Sequence, residues 1–246
     1  MPTYEDLNRE HPARDNAERM RLNALYCGGK ELRDQLNTLL PQHEHEKGAR
    51  YELRKSVADY RNYIGPVIDF FTALLFSSRP GAVASSDGKP VTELPDYWEE
   101  FRDDADGQGA DLDAVAKEWL TNAMVHKCSW LRVHAPADNG LQAESRKDFD
   151  DRGLGNCWVS LVDADEVIDW DYGESGQLAS VVLHRASAHK AGDWGPRDQI
   201  TETWERLTAE KTETYRITYS KDKKPAAKEE IPLVAEDLHP FDRVPL

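Results

Sequence analysis

The chain has 246 residues, of which 39% are hydrophobic and 31% charged, with a formal net charge of −15. That balance suits one domain or two small ones, and it excludes a broad basic face that would grip DNA or anionic lipid through clustered lysines and arginines. Three widely spaced cysteines without CxxC spacing predict neither a disulfide framework nor a thiolate metal site, and they favour a reducing compartment. With no signal sequence and no apolar run of about 20 residues, we expect a soluble protein.

Residues 1–76 are predicted to form a helical region. Asp15 is a candidate N-cap for a first helix that Gly28 and Gly29 end, and a second short helix runs to Leu40. The longest helical pattern extends from Arg50 to Phe76, and Gly65-Pro66 should break or kink it because proline clashes with the preceding turn.

Residues 77–95 are rich in serine, proline and glycine, which predicts an exposed linker with one short strand at 81–84. Helices are then predicted from Asp96 to Asp103 and from Leu112 to His126, with Trp119 on the buried face of the second.

After His126 the apolar pattern takes the two-residue period of strands. The segments rich in β-branched and aromatic residues are Cys128–Ala135, Asn156–Asp163, Leu178–Ser187, Ile200–Thr208 and Thr212–Ser220. The short "AEK" between the last two predicts a hairpin turn. Helices first and strands later predict an α+β fold, with a helical N-terminal half packed on a mostly antiparallel sheet across the 96–246 region.

Five acidic residues crowd the end of one predicted strand, at Asp163, Asp165, Glu166, Asp169 and Asp171. Metal-dependent nucleases often cluster carboxylates in this way, but strand alternation would place Asp163 and Asp165 on one side and Glu166 on the other. The favoured interpretation is structural: a turn from Ala164 to Val167, with Ile168 and Trp170 inserted into the core.

Other candidate sites have weaker patterns. "HEHE" at residues 43–46 lacks the HExxH spacing of a metalloprotease, and Cys128 near His126 or His134 lacks an oxyanion-hole signature. No phosphate-binding loop, dinucleotide fingerprint or hydrolase elbow occurs, so we predict no catalytic residue, metal ligand or cofactor site. "KDKK" at residues 221–224 is interpreted as a solvated turn.

An aromatic-rich stretch of the second helical pattern is interpreted as core or as a packing surface for another subunit. Its residues are Tyr60, Tyr63, Phe70, Phe71 and Phe76.

The ordered set of segments resembles the N-terminal wing region of tailed-bacteriophage portal proteins. The resemblance covers about residues 51–246 and is carried by "YELRKSVADYRNYIGPVIDFFTALLFSSRP", "AKEWLTNAMVHKCSWLRVHAP", "NCWVSLVDADEVIDWDYGESGQLASVVLHRAS", "ITETWERLTAEKTETYRITY" and "HPFDRVPL". Asp242 stands where the family pattern has glycine. Because the chain stops at Leu246, before the stem, clip and crown, it is similar to an N-terminal part of such a protein.

The resemblance implies a non-enzymatic structural subunit of a closed homo-oligomeric ring, typically a dodecamer, at one capsid vertex. It implies the major capsid protein, the terminase large subunit and a head-tail adaptor as partners, with double-stranded DNA passing weakly and non-specifically through the channel. It implies no membrane contact. It implies a location in the host cytoplasm before assembly and in the virion afterwards. In such a wing, Ile168 and Trp170 would be structural anchors.

Two other functions stay open from the residues. One is a metal-dependent hydrolase or nuclease that uses Asp163, Asp165 and Asp169. The other is a phage adaptor or interaction protein whose sheet binds a partner along its edge.

Overall fold

The computed structural model describes residues 1–78, 84–86, 89–91, 96–135, 148, 156–190, 197–239, 241 and 243–246. Helices and antiparallel sheets share this part of the chain, which confirms the predicted α+β class. The helices are α1 (Tyr4–Leu7), α2 (Asn16–Cys27), α3 (Gly29–Asp34), α4 (Leu36–Leu39), α5 (Gly48–Val57), α6 (Ile64–Leu75), α7 (Asp96–Asp103) and α8 (Leu112–His126). None of them is long and apolar enough to cross a membrane.

The strands are β1 (Ala84–Ser86), β2 (Lys89–Val91), β3 (Trp130–His134), β4 (Trp158–Val162), β5 (Val167–Tyr172), β6 (Leu178–His189), β7 (Gln199–Thr208), β8 (Lys211–Ser220) and β9 (Leu233–Leu238). Strands β5 to β9 form an antiparallel sheet in chain order, while β1 pairs with β2 and β3 pairs with β4. The five predicted strands are confirmed within a few residues, and the predicted turn joins β7 to β8. The sequence patterns did not predict β2, β5 and β9 as strands.

The chain divides into two compact units, and both are discontinuous in sequence. The sheet unit comprises Met1–Arg14, Asp96–Asp111 and Trp130–Leu246; the helical unit comprises Asp15–Pro95 and Leu112–Ser129. These units do not coincide with the predicted segments 1–76, 77–95 and 96–246. The first residues join the sheet unit because Tyr4 N–H donates to the Glu229 carbonyl at 2.8 Å. Most of the predicted linker, including most of the strand at 81–84, lies outside the described residues.

Local capping residues set the limits of α2, as the sequence predicts. The Asp15 carboxylate accepts a hydrogen bond from the Glu18 N–H at 2.9 Å. At the other end Gly28 has φ 67° and ψ −152°, a conformation that is open almost only to glycine. The second predicted helix is divided into α3 and α4 by Gln35.

We expect Gly28→Ala to lower the free energy of unfolding by about 1–3 kcal/mol, because a Cβ is strained at this backbone geometry. The strain comes from φ and not from crowding, since the added Cβ would lie 3.8 Å from the Tyr60 ring. Gly48→Ala is the matched control: Gly48 begins α5, has no positive φ, and an added Cβ would meet nothing within 4 Å. Urea denaturation followed by circular dichroism measures the free energy of unfolding of both variants. Equal losses for Gly28→Ala and Gly48→Ala would contradict the attribution of the cost to the φ angle of Gly28.

The break in the long helical pattern is confirmed, but it lies at residues 58–63 and not at Gly65-Pro66. Pro66 is the third residue of α6, where a missing N–H costs nothing because the first-turn donors have no intrahelical acceptor. The side chain of Asn62, within the break, bonds to both neighbouring helices. Its oxygen accepts from the Gly65 N–H of α6 at 2.8 Å, and its amide group donates to the Tyr26 carbonyl of α2 at 2.7 Å.

Helices α2, α6 and α8 pack against one another in the helical unit. Their buried apolar residues are Ala24, Ile68, Val115 and Val125. The bounds predicted for α7 and α8 are confirmed, but Trp119 is 42% exposed, so its predicted burial is wrong. The structure buries Val115, as the helical spacing predicts, and also Val125 on α8.

The core of the sheet unit consists of two apolar clusters on the β5–β9 sheet. One contains Tyr4, Leu7, Ile168, Trp204, Tyr215 and Ile231, and the other contains Val162, Val167, Val181, Leu183, Leu207 and Val244. The segment that includes Val244 is attached to the β3–β4 ladder, because the Val133 N–H donates to the Pro245 carbonyl at 3.0 Å. Both ends of the described chain therefore pack on the same unit.

Candidate interaction surface

Helix α6 presents an apolar face to solvent. Six large side chains on this face are between 40% and 63% exposed: Ile64, Val67, Phe70, Phe71, Leu74 and Leu75. Their spacing places them on one side of the helix, where residues three and four apart are neighbours. We call these six residues the α6 face. Its exposed apolar area is on the order of several hundred Å², at the upper limit of what monomeric proteins usually leave uncovered.

The opposite side of α6 fixes the rotation of the helix. Gly65, Ile68 and Thr72 are buried there. The Thr72 hydroxyl lies 3.5 Å from the Thr121 hydroxyl and 3.8 Å from the Met124 sulfur, both on α8. Because Thr72 contacts α8 on this side, the helix cannot turn the phenylalanines inward without losing these contacts.

Other exposed apolar side chains lie in the same unit. Leu53 and Val57 on α5 are exposed, as is Met20 on α2. Tyr63, directly before α6, is 70% exposed. Charged groups on α6 are sparse: Asp69 is the single one, and its carboxylate accepts from the Tyr26 hydroxyl at 3.1 Å.

The predicted aromatic residues divide into two groups. Tyr63, Phe70 and Phe71 are exposed at or beside the α6 face. Tyr60 and Phe76 are half-buried, and the Tyr60 hydroxyl donates to the Leu25 carbonyl, which binds the segment before α6 to α2.

The two predicted anchors in β5 lie inside the sheet unit. Ile168 is buried in the cluster around Trp204. Trp170 is half-buried, with its ring stacked on His11 at 4.0 Å between centroids. The His11 N–H also donates to the Ile168 carbonyl at 2.9 Å. Both residues therefore hold the N-terminal segment on the sheet.

The acidic residues around Asp163 do not converge. Residues 164–166 form a turn in which the Glu166 N–H donates to the Asp163 carbonyl at 2.9 Å, and Asp163 and Asp165 are exposed. The Glu166 carboxylate accepts from Arg185 Nε at 2.8 Å, and the Asp169 carboxylate accepts from the next backbone N–H. Within the described ranges, no group of three histidine, cysteine or acidic side chains is arranged to hold a metal ion.

The "HEHE" segment has a structural contact at its last residue. The Glu46 carboxylate accepts from Arg54 Nε at 2.9 Å and from Arg54 Nη2 at 2.7 Å, which joins the loop to α5. The hydrogen bonds from Arg54 lower the pKa of Glu46. His43 and His45 are exposed.

Cys128, the candidate nucleophile, has its sulfur 3.1 Å from Arg19 Nη2. The two histidines that were candidates for its general base are His134 and His126. His134 Nε2 lies 2.8 Å from the Ser160 hydroxyl on the neighbouring strand, and burial lowers the pKa of His134 to about 4. His126 is at the end of α8.

A partly buried polar cluster crosses the main sheet, and sequence reasoning missed it. The Glu202 carboxylate accepts from the Tyr219 hydroxyl at 2.5 Å and from the Tyr4 hydroxyl at 3.2 Å. His184 Nε2 lies 3.7 Å from the other carboxylate oxygen, and the His184 ring stacks on Trp204 at 5.0 Å. We call Tyr4, His184, Glu202 and Tyr219 the Glu202 cluster.

Burial and the nearby carboxylate perturb the groups of this cluster. Burial, reinforced by the hydrogen bond to Glu202, raises the pKa of Tyr219 to about 12 and that of Tyr4 further. Burial lowers the pKa of His184 despite the Glu202 carboxylate nearby. At neutral pH the hydroxyls therefore stay protonated and donate, which binds α1, β7 and β8 together. The strand pattern of β7 shows Glu202 as one polar residue among several, so the sequence carried no signal for it.

Compared with protein-family models and with curated proteins, the chain matches none.

Proposed function

We propose that this chain is a structural subunit of a bacteriophage portal ring, and that the α6 face is covered by a neighbouring copy of the same chain. The observation that carries the proposal is the α6 face itself, since exposed apolar patches of this size mark protein interfaces. The ordered resemblance of segments 51–246 to portal wings supports a second copy as the partner. A closed ring requires contacts between two different patches on each subunit, and the α6 face would be one of them.

The charge of the chain supports the same function. A ring through which DNA slides should avoid tight phosphate contacts, because each neutralised phosphate strengthens binding. A net charge of −15 suits weak, non-specific passage of double-stranded DNA. The capsid protein, the terminase large subunit and a head-tail adaptor belong to this proposal as further partners, and the virion is its location.

The mass of the purified particle in solution tests the proposal. Light scattering should show an assembly many times the 27.9 kDa of one chain, and negative-stain images should show rings. Phe70→Gln combined with Phe71→Gln should reduce the mass to that of the monomer at the same concentration. Both side chains are exposed, so the circular dichroism spectrum should not change.

The matched control replaces two exposed apolar residues of the sheet unit, Tyr172→Gln with Leu238→Gln. This variant should keep the assembled mass. A wild-type chain that stays monomeric at the highest soluble concentration would overturn the proposal. So would an assembly that survives the double substitution on α6.

A further inference from the structure

The sheet unit contains an aromatic cavity that has no part in the proposed ring contact across the α6 face. Its volume is about 440 Å³, within the range of ligand-binding pockets. Its aromatic walls are Tyr97, Trp98 and Phe101 on α7 and Trp158 at the start of β4. The Trp98 and Phe101 rings are 5.6 Å apart between centroids and inclined by 40°. We call this space the α7 cavity.

The loop after α7 holds these walls in place. Ala105 is fully buried, its N–H donates to the Ala110 carbonyl at 2.8 Å, and its carbonyl accepts from the Val159 N–H on β4 at 2.8 Å. The Asp106 carboxylate accepts from the Gln108 and Ala110 N–H groups at 2.8 and 2.9 Å, which lowers the pKa of Asp106. The cavity is therefore built by fixed backbone contacts.

Gly107 allows the loop to approach the ring of Trp158. Its φ is 70°, and a Cβ at this position would lie 3.5 Å from the Trp158 Cγ. A residue with a Cβ would be strained by φ, although the Cβ itself would make only ordinary van der Waals contact with the tryptophan. The loop and β4 therefore close one side of the cavity through this glycine.

The two charged side chains of the lining are both acidic. Glu100 and Asp104 line the cavity with Tyr97 and Phe101, because residues three and four apart share one face of a helix and its continuation. The Asp104 carboxylate accepts from the Gly109 N–H at 2.8 Å, and Glu100 is exposed. No lysine, arginine or histidine is among the described residues that line it.

Aromatic faces carry a negative electrostatic potential and attract cations, and carboxylates strengthen that attraction. A phosphate or a nucleic acid would be repelled by the same groups. Among cations, a guanidinium suits the cavity because its flat, weakly hydrated surface stacks on indole rings. The volume exceeds that of one side chain, which leaves room for an adjacent apolar residue.

From this chemistry we propose that the α7 cavity binds a basic segment of a partner protein by taking up an arginine side chain and its apolar neighbour. The arginine stacks on the aromatic rings and its charge faces Glu100 and Asp104. The proposal rests on the sheet unit alone and does not depend on ring assembly.

A pair of short capped peptides tests this on the full chain. One contains leucine next to arginine, and the other has citrulline, which is neutral and similar in shape, in place of arginine. Fluorescence anisotropy of dye-labelled peptides should show saturable binding of the arginine peptide. The citrulline peptide should bind at least about 5-fold more weakly, the effect of losing a cation–π contact.

Variants on α7 locate the site. Tyr97→Leu and Glu100→Gln should each weaken the arginine peptide by about 3- to 5-fold without changing the thermal midpoint, because both side chains are exposed. Glu99→Gln is the matched control, since Glu99 is also exposed on α7 but does not line the cavity. It should leave the affinity unchanged.

Three results would overturn the proposal: no saturable binding of the arginine peptide, equal affinity for the two peptides, or equal weakening by Glu99→Gln and Glu100→Gln. If free arginine amide bound as tightly as the peptide, the ligand of the cavity would be a small organic cation and not a segment of a partner protein.

Discussion

Replacing Trp204 by alanine is expected to lower the free energy of unfolding by about 3–5 kcal/mol. Trp204 is 0% exposed and is the largest fully buried side chain among the described residues. Its ring packs edge-on against Tyr4 at 5.7 Å and stacks on His184 at 5.0 Å, so its removal leaves a cavity under the N-terminal segment. Neighbours on both sides in the sheet limit the collapse of that cavity.

Urea denaturation followed by far-ultraviolet circular dichroism measures the Trp204 effect without relying on tryptophan emission. Trp119→Ala is the control, because Trp119 is 42% exposed on α8 and should cost far less. Similar losses for the two variants would show that Trp204 does not anchor the core. Trp204→Phe should recover part of the loss because it fills part of the volume.

Glu202→Ala is expected to be the second most damaging substitution, at about 2–4 kcal/mol. The carboxylate is the hydrogen-bond acceptor of the buried Tyr4 hydroxyl and of the half-buried Tyr219 hydroxyl, and its removal leaves both without this partner. The cost arises mainly from those orphaned donors. Tyr4 is one of them, so α1 should also detach more readily from the sheet.

The same denaturation measurement tests Glu202. Glu236→Ala is the matched control: Glu236 lies on edge strand β9, and its carboxylate pairs with Lys211 at 3.2 Å near solvent. Solvent screening limits such a pair to about 1 kcal/mol or less. Proteolysis of the first residues should accelerate in Glu202→Ala and not in Glu236→Ala. If the two variants lost equal stability, the Glu202 cluster would not bind the sheet and α1 together.

The α6 face and the α7 cavity have different physical characters, which suits different occupants. The α6 face is broad, apolar and nearly uncharged. The cores of subunit interfaces have the same character. The α7 cavity is small and combines aromatic rings with carboxylates, which favours one cationic group. Salt should separate them: higher ionic strength should weaken peptide binding at the cavity and have little effect on contacts across the α6 face.

Local sequence determined the elements whose causes lie within a few residues. Asp15 and Gly28 mark the ends of α2 because capping is a contact between near neighbours, and the alternation of apolar residues located β3, β4, β6, β7 and β8. The α+β class followed from the order of these patterns. The aromatic residues of α6 could be singled out from composition, but their exposure could not.

Tertiary structure alone decided the rest, because it depends on which distant segments meet. Thr72 of α6 contacts α8 and so turns the phenylalanines of α6 outward, and no pattern within α6 distinguishes that side from the other. Tyr4 and Glu202 are 198 residues apart, and their hydrogen bond exists only once α1 lies on the sheet. The α7 cavity likewise forms where a short aromatic helix meets β4. Local periodicity predicts which residues form an element, whereas packing decides what each face of that element contacts.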